Sequence, residues 1–410
     1  MTAGLEQTNL FKPITVGKHT LDQRIAFAPT TRFRAADDHT PSDLMLQYYS
    51  DRAQASGTLL ISEATFISPR SGLYPNIPGI WNEKHVQGWK KITDAVHAKG
   101  SLIASQFWFL GRVGSPELLK KHGLDLVSSS ALYGSEDSKK AAEAAGNPVR
   151  ALSEEEIKSI IYEDYKNAAI NAINAGFDYV EIHSAHGYML DQFLQPVSNQ
   201  RTDSYGGSIE KRARIILEII DLLSETIGAE KLAIRLSPWA KFQGIKGDED
   251  SVHPITTFSY VVNELQKRAD YGKQLAYLSI VEPRISGGRD IVGLIADLNI
   301  SDVVGSNDFV KSLWKGAILQ TGNYTYDSPE FKLLKSDVNG DNRTMIGFSR
   351  YFISNPDLVE RLKKGHELTP YVRSLFYATH NYGYNTFPNY GKELQYDPQA
   401  EEKRRPVSLV

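Results

Sequence analysis

The amino-acid sequence predicts an α/β protein, a (β/α)8 barrel in a single domain. Eight short runs rich in β-branched and apolar residues recur along the chain, and stretches of 3.6-residue periodicity separate most of them. Alternating strands and helices argue for a parallel sheet, and eight strands is the number that closes one. The competing open, doubly wound sheet usually carries a glycine-rich turn after its first strand. Here the first strand runs into PTTRFRAADDHTPSD, and no G-x-G-x-x-G occurs in the chain.

In order, the expected strands are 24–29 (RIAFAP), 58–64 (TLLISEA), 102–108 (LIASQFW), 179–185 (YVEIHSA), 232–237 (LAIRLS), 276–282 (AYLSIVE), 317–322 (AILQTG) and 345–350 (MIGFSR). A helix is expected over 153–175, where Ser153 followed by Glu156 reads as a capping box and Gly176 as the stop. Further helical patterns cover 207–227, closed by Gly228, then 258–271, and 356–364 ending at Gly365. Two segments break the repeat: 111–150 after the third strand and 284–308 after the sixth. Long loops in compact domains are usually functional, and both leave strand C-terminal ends, so they are expected to wall a pocket. The barrel is assigned to residues 1–395, and 396–410 to a polar C-terminal tail.

Of the 410 residues, 41% are hydrophobic and 23% charged, ordinary for a globular protein with one large core. A formal net charge of −3 argues against a nucleic-acid binder, which needs a basic face. The absence of cysteine excludes disulfides, thiolate metal ligands, cysteine nucleophiles and iron–sulfur clusters. The N-terminus lacks the apolar region of a signal peptide, and no run approaches the ~18 apolar residues of a membrane span. The C-terminal SLV matches a peroxisomal tripeptide only loosely. The expected location is the cytoplasm.

Seven of the eight strand ends carry polar or charged groups: Thr30–Thr31, Glu63, Gln106, His183 with His186, Arg235, Asn323 and Arg350. One such group means little, but their convergence on one rim is a signal. Arg235 stands in an apolar strand, where a charge is costly unless paired. Alternation puts it on one face with the small Ala233 and Ser237. Its partner is either Glu181, which spacing alone favours, or an anionic ligand. His183 and His186 become neighbours if the turn between them is helical. They could bind a metal with Glu181, or donate two hydrogen bonds to one oxygen, or be structural. Tyr188 nearby suits late proton donation to a carbanion-like centre. Gly322–Asn323 and Ser349–Arg350 follow strands seven and eight, the common phosphate position of barrels.

The segment EIHSAHGYMLDQFLQPVSNQRTDSYGGSIEKRAR (181–214) closely resembles the signature of the old yellow enzymes, FMN-containing NAD(P)H dehydrogenases. LFKPITVG, APTTRFRA, EATFISP, SQFWFLGR, IRLSP, VEPR, GSNDF and FSRYFISNPDL match in the same order, so the resemblance covers nearly the whole chain. It implies FMN as cofactor, with NADPH or NADH as hydride donor. Thr31 is similar to the threonine at the flavin O4, Gln106 to the residue reading the pyrimidine edge, and Arg235 to the arginine at N1/O2. That last likeness overturns the preference for a salt bridge. Asn323 and Arg350 match the phosphate-binding loops, and Pro29, Thr30, Ala64, Gly322 and Ser349 fall in the same cofactor set. His183 and His186 resemble the pair that holds a substrate carbonyl, Tyr188 the proton donor, and Trp108 and Tyr377 residues that shape the substrate pocket. One departure is Gly347-Phe348-Ser349-Arg350, where many relatives read Gly-Tyr-Gly-Arg; serine lacks glycine's freedom at positive φ.

The resemblance therefore implies an ene-reductase. Hydride passes from NAD(P)H through the flavin N5 to Cβ of an α,β-unsaturated aldehyde or ketone, and Tyr188 protonates Cα. A small-molecule enone, no nucleic acid, no membrane, and a monomer or homodimer are expected. Two other readings remain: a metal-dependent lyase or hydrolase using Glu181, His183 and His186, and a flavin-binding module without turnover.

Overall fold

The computed structural model describes residues 4–286, 289–290 and 304–410. Eight parallel strands form its centre: β1 (Ile25–Phe27), β2 (Leu59–Ile61), β3 (Leu102–Trp108), β4 (Tyr179–Ser184), β5 (Leu232–Leu236), β6 (Tyr277–Val281), β7 (Ile318–Thr321) and β8 (Thr344–Phe348). Each pairs with the next, and β8 pairs with β1, so the sheet closes and leaves no edge. The helices that follow are α1 (Asp43–Arg52), α2 (Glu83–His97), α3 (154–174), α4 (Ile209–Ile227), α5 (Pro254–Asp270), α6 (Asp308–Leu313), α7 (Lys332–Gly340) and α8 (Leu358–Lys364).

Alternation within the strands sorts the side chains. On β4, Val180 and Ile182 join the apolar layer beneath the helices, while Tyr179 joins a separate cluster inside the barrel with Leu59, Ala104, Tyr277 and Met345. A hairpin of Ile14–Val16 and His19–Leu21 supplies Ile14, Val16 and Leu21 to that cluster and closes the barrel floor. Tyr179 Oη donates to the Val16 carbonyl at 2.8 Å, tying plug to barrel. Above the floor, register aligns Gln106, Glu181, Ala233 and Tyr277 in one row, and His183, Arg235 and Ser279 in the next. Polar groups thus rise toward the C-terminal ends of the strands.

Differences from expectation have local causes. The capping box of Ser153 and Glu156 forms, but the helix it opens contains a π-helical stretch, Ile160–Tyr165, whose wider turn lets Ile160, Ile161 and Tyr165 all face the core. Helix α5 starts earlier than expected, at Pro254, capped by His253. Strand β8 stops at Phe348, and Arg350 opens a short helix, Arg350–Ser354. Segment 111–150 holds two helices, Pro116–Lys121 and Glu136–Ala144, over a small core of Leu119, Leu126, Ala142 and Val149. Residues 396–410 are not a loose tail. They form the helix Pro398–Lys403, and the amides of Asp43 and Leu409 donate to the carbonyls of Val407 and Pro41 at 2.9 and 3.0 Å.

The floor gives a test of the fold. Tyr179→Phe keeps the ring but strands a buried carbonyl, so unfolding free energy should drop by about 1–3 kcal/mol in a denaturant titration. No drop would mean that the hairpin is not locked by this bond.

Candidate active site

One cavity opens at the C-terminal ends of the strands. Every residue to which the family resemblance gives a role reaches its wall. Pro29, Thr30 and Thr31 come from the exit of β1, Ala64 from that of β2, and Gln106 and Trp108 from β3. His183, His186 and Tyr188 come from β4 and its exit, Arg235 from β5, Gly322 and Asn323 from the turn after β7, and Ser349 and Arg350 from that after β8. Tyr377 enters from the C-terminal segment.

Arg235 does not form the salt bridge that spacing favours. Glu181 Oε1 accepts from Gln106 Nε2 at 2.7 Å, while Glu181 Oε2 and Arg235 Nε have no hydrogen-bond partner among the described residues. A half-buried guanidinium whose buried Nε lacks a partner is costly, and an anion in the cavity would offset that cost. Burial pushes the Glu181 carboxyl up and the Arg235 guanidinium down, each partly countered by the other's charge.

The turn after β4 is not helical. His186 and Gly187 both take left-handed backbone, at φ 56° and 74°, and Tyr188 is extended at φ −84°. This folds the chain back so that His183 and His186 still meet, ring centroids 6.1 Å apart. Burial, and then the charge of Arg235, push the His186 imidazole down to about 3 and hold His183 well below its ordinary value. Both rings are therefore neutral and carry one proton each. Nδ1 of both is buried without a partner among the described residues, and a stranded donor costs more than a stranded lone pair. The tautomer assigned is Nε2–H, and both histidines line the cavity.

Tyr188 stands edge-on to Trp108 and His183, at 4.9 and 5.0 Å between centroids. Trp108 is in turn stacked on Phe66 at 5.3 Å. Burial raises the Tyr188 phenol, so it stays protonated and available as an acid. Metal ligation fares worse: among the described residues no three His, Cys, Asp or Glu side chains converge on a common point.

At the far end, Gly322 (φ 146°) and Asn323 (φ 47°) make the tight turn after β7. A Cβ at Gly322 would stand 2.8 Å from Glu282 Cβ, so the position takes only glycine without rearrangement. Ser349 has φ −109°, a region open to any residue, so serine costs nothing there. Its hydroxyl lies 2.6 Å from that of Thr30.

Some expectations move. Glu63 lies behind the wall, accepting from the Arg32 amide at 3.3 Å, its carboxyl pushed up to about 7 by burial. Segment 111–150 contributes nothing to the lining, which instead takes Phe242 from beyond β5. Of segment 284–308, Ile285 lines the cavity, while 287–288 and 291–303 lie outside the described residues. Tyr371 and Phe376 were also missed; the density of aromatics between 371 and 377 was the available signal. The fully buried Arg32 and Arg34 hold that segment, both donating to the Phe376 carbonyl at 2.9 Å.

Residues 9–369 match the NADH:flavin oxidoreductase / NADH oxidase family. A probable NADPH dehydrogenase of Candida albicans (strain SC5314) is 53% identical over 398 residues, covering 97% of this chain and 95% of the relative. Enoate reductase 1 of Kluyveromyces lactis is 43% identical over 391 residues, 94% of this chain and 95% of that one. The crystal structure of Old Yellow Enzyme from Pichia sp. AKU4542 matches with a TM-score of 0.91 and 51% identity, covering 99% of this chain and all 100% of that one.

His186 offers a test that needs no ligand. Its folded value of about 3 lies below the ordinary 6.5 of an unfolded chain, so unfolding takes up a proton. The stability this contributes is fully present above pH 6.5 and is lost as pH falls toward 3. His186→Asn cannot titrate and should flatten the acid slope of unfolding free energy, read from urea titrations at about pH 6, 5 and 4. An unchanged slope would show that the ring is not held neutral.

Proposed function

The chain belongs to the NADH:flavin oxidoreductase / NADH oxidase family, and from that membership we propose how its own cavity serves the reaction. The enzyme is an FMN-dependent NAD(P)H oxidoreductase of the old yellow enzyme kind. The observation that carries the reading is the half-buried Arg235, its buried Nε short of a hydrogen-bond partner, on the same wall as a neutral histidine pair and a protonated tyrosine. Arg235, Gln106 and Thr31 would hold the polar edge of the flavin ring, with Pro29, Thr30 and Ala64 beside it. Asn323 and Arg350, with the turns at Gly322 and Ser349, would hold its phosphate. When bound, FMN supplies the two-electron chemistry, taking hydride from NADPH or NADH and giving it to the β-carbon of an α,β-unsaturated aldehyde or ketone.

The protein does the rest. His183 and His186 donate to the carbonyl oxygen and draw electron density from Cβ, as an oxyanion hole does. Tyr188 gives its proton to Cα. Trp108 and Tyr377 limit the shape of the substrate. Because donor and acceptor share one cavity, they bind in turn, and the kinetics are ping-pong. A module without turnover would have no need of a buried acid beside two imidazoles. We read the enzyme as cytoplasmic and as a monomer or homodimer, acting on small molecules and not on nucleic acid. Among the described residues no helix is long and apolar enough to cross a membrane.

Two variants test this. Arg350→Ala removes a charge-assisted phosphate contact and should lower FMN occupancy. Full yellow colour after extensive dialysis would count against that assignment. Tyr188→Phe should leave NADPH oxidation and quinone reduction nearly intact, because neither protonates a carbon. Its cyclohexenone reduction should slow by about 10²–10⁴-fold, the usual loss with a positioned acid. If both activities fell together, or neither fell, Tyr188 would not be the donor.

A further inference from the structure

We propose that Asp191 is a positioning residue for His186 and Tyr188, acting through the backbone amide of Gly187. The inference rests on the roles just given to His186 and Tyr188, and its argument is about what keeps them in place.

The turn that presents both side chains is not self-sustaining. Two successive left-handed residues, one of them a histidine, depart from what an L-residue prefers. Such a conformation persists only where its surroundings over-determine it. Here buried side chains bond its backbone from several sides. Ser237 Oγ accepts from the His186 amide at 2.8 Å, and Asp191 Oδ2 accepts from the Gly187 amide at 2.8 Å. Gln192 Nε2 donates to the Gly187 carbonyl at 2.7 Å, and the Tyr188 amide donates to the Ala185 carbonyl at 3.2 Å.

Asp191 differs from the other anchors in being a carboxylate, and it is fully buried. Its bonds are to the Gly187 amide and, at 3.0 Å, from Gln195 Nε2 to Oδ1; no ion pair to it occurs among the described residues. Arg112 lies near enough only to ease its charge. A buried carboxylate without an ion pair is costly, and burial pushes this one up to about 6. What it provides in return is an accepting oxygen held at the hinge of the turn.

Its place makes that bond directional. Asp191 is the third residue of the helix Met189–Leu194, whose N-cap is Tyr188, and its carboxylate reaches back past the cap to Gly187. On the other side Gly187 meets a wall: a Cβ there would stand 2.9 Å from the Phe242 carbonyl oxygen and 3.0 Å from Gln243 Cβ. Gly187 is thus clamped between Asp191 and the segment after β5, with His186 on one side of it and Tyr188 on the other.

The test uses the FMN-loaded enzyme, with rates normalised to bound flavin. Para-chlorophenol reports the oxygen-holding pair through its long-wavelength charge-transfer band, and the ratio of cyclohexenone to quinone turnover reports Tyr188. Asp191→Ala should weaken phenol binding and lower that ratio, each by at least ~10-fold, a share of the ~10²–10⁴ that a positioned acid supplies. Asp191→Asn keeps an accepting oxygen for Gly187 and should restore most of both. Should Asp191→Ala fail to load FMN, Gln195→Leu removes the bond that orients the carboxylate and should give a weaker form of the same pattern. A merely structural role would lower melting temperature and flavin content and leave the ratio at its wild-type value, and that result would overturn the proposal. So would an asparagine variant no better than alanine. If the wild-type enzyme itself bound no phenol and reduced no enone, the reading of His186 and Tyr188 would fail instead.

Discussion

Inside a closed parallel barrel, every second residue of every strand has nowhere to point but inward. That constraint organises the whole molecule. Low in the barrel the inward positions are apolar and the hairpin at 14–21 seals them. One row up they are Gln106, Glu181 and Tyr277, and one row above that His183, Arg235 and Ser279. The strands therefore pass from core to chemistry within a few residues: Gln106, Trp108, His183 and Arg235 stand on them, and the turns at their ends carry the rest of the site.

A second economy is electrostatic. The charge of Arg235 faces the cavity and also helps keep His183 and His186 deprotonated. A neutral imidazole donates one hydrogen bond without adding a formal charge, so it can hold an oxygen whose charge grows during reaction without binding its starting state too tightly. Burial does the larger share of this, and the arginine adds to it. Tyr188 follows the same logic: packed against Trp108 and His183, it keeps its proton.

Much of this was legible in the sequence, because period-2 alternation and strand-end polarity are local properties. YVEIHS and LAIRL show their inward faces directly. What stayed hidden depends on partners distant in sequence. Glycine at 187 signals a turn, but nothing at His186 signals left-handed backbone, which is held by Ser237, fifty-one residues on. Spacing suggested Glu181 for Arg235, yet Gln106 on the neighbouring strand takes that carboxylate's hydrogen bond. Phe242 and Phe376 sit in aperiodic segments, and only the closed barrel brings them to the cavity. The polar composition of 396–410 concealed backbone pairing with the start of α1, since main-chain bonds leave little trace in side-chain chemistry.

Ring closure also bears on biosynthesis. Ile25 of β1 pairs with Ile346 of β8, and the floor that Ile14 and Val16 help to seal includes Met345. A chain leaving the ribosome N-terminus first must carry β1 with one side unpaired until nearly all of its length has been made. Throughout synthesis the nascent sheet presents two open edges and an unsealed floor, the kind of surface on which chains aggregate. Shielding the emerging polypeptide therefore falls to the cell, and the need for it ends only when the last strand joins the first.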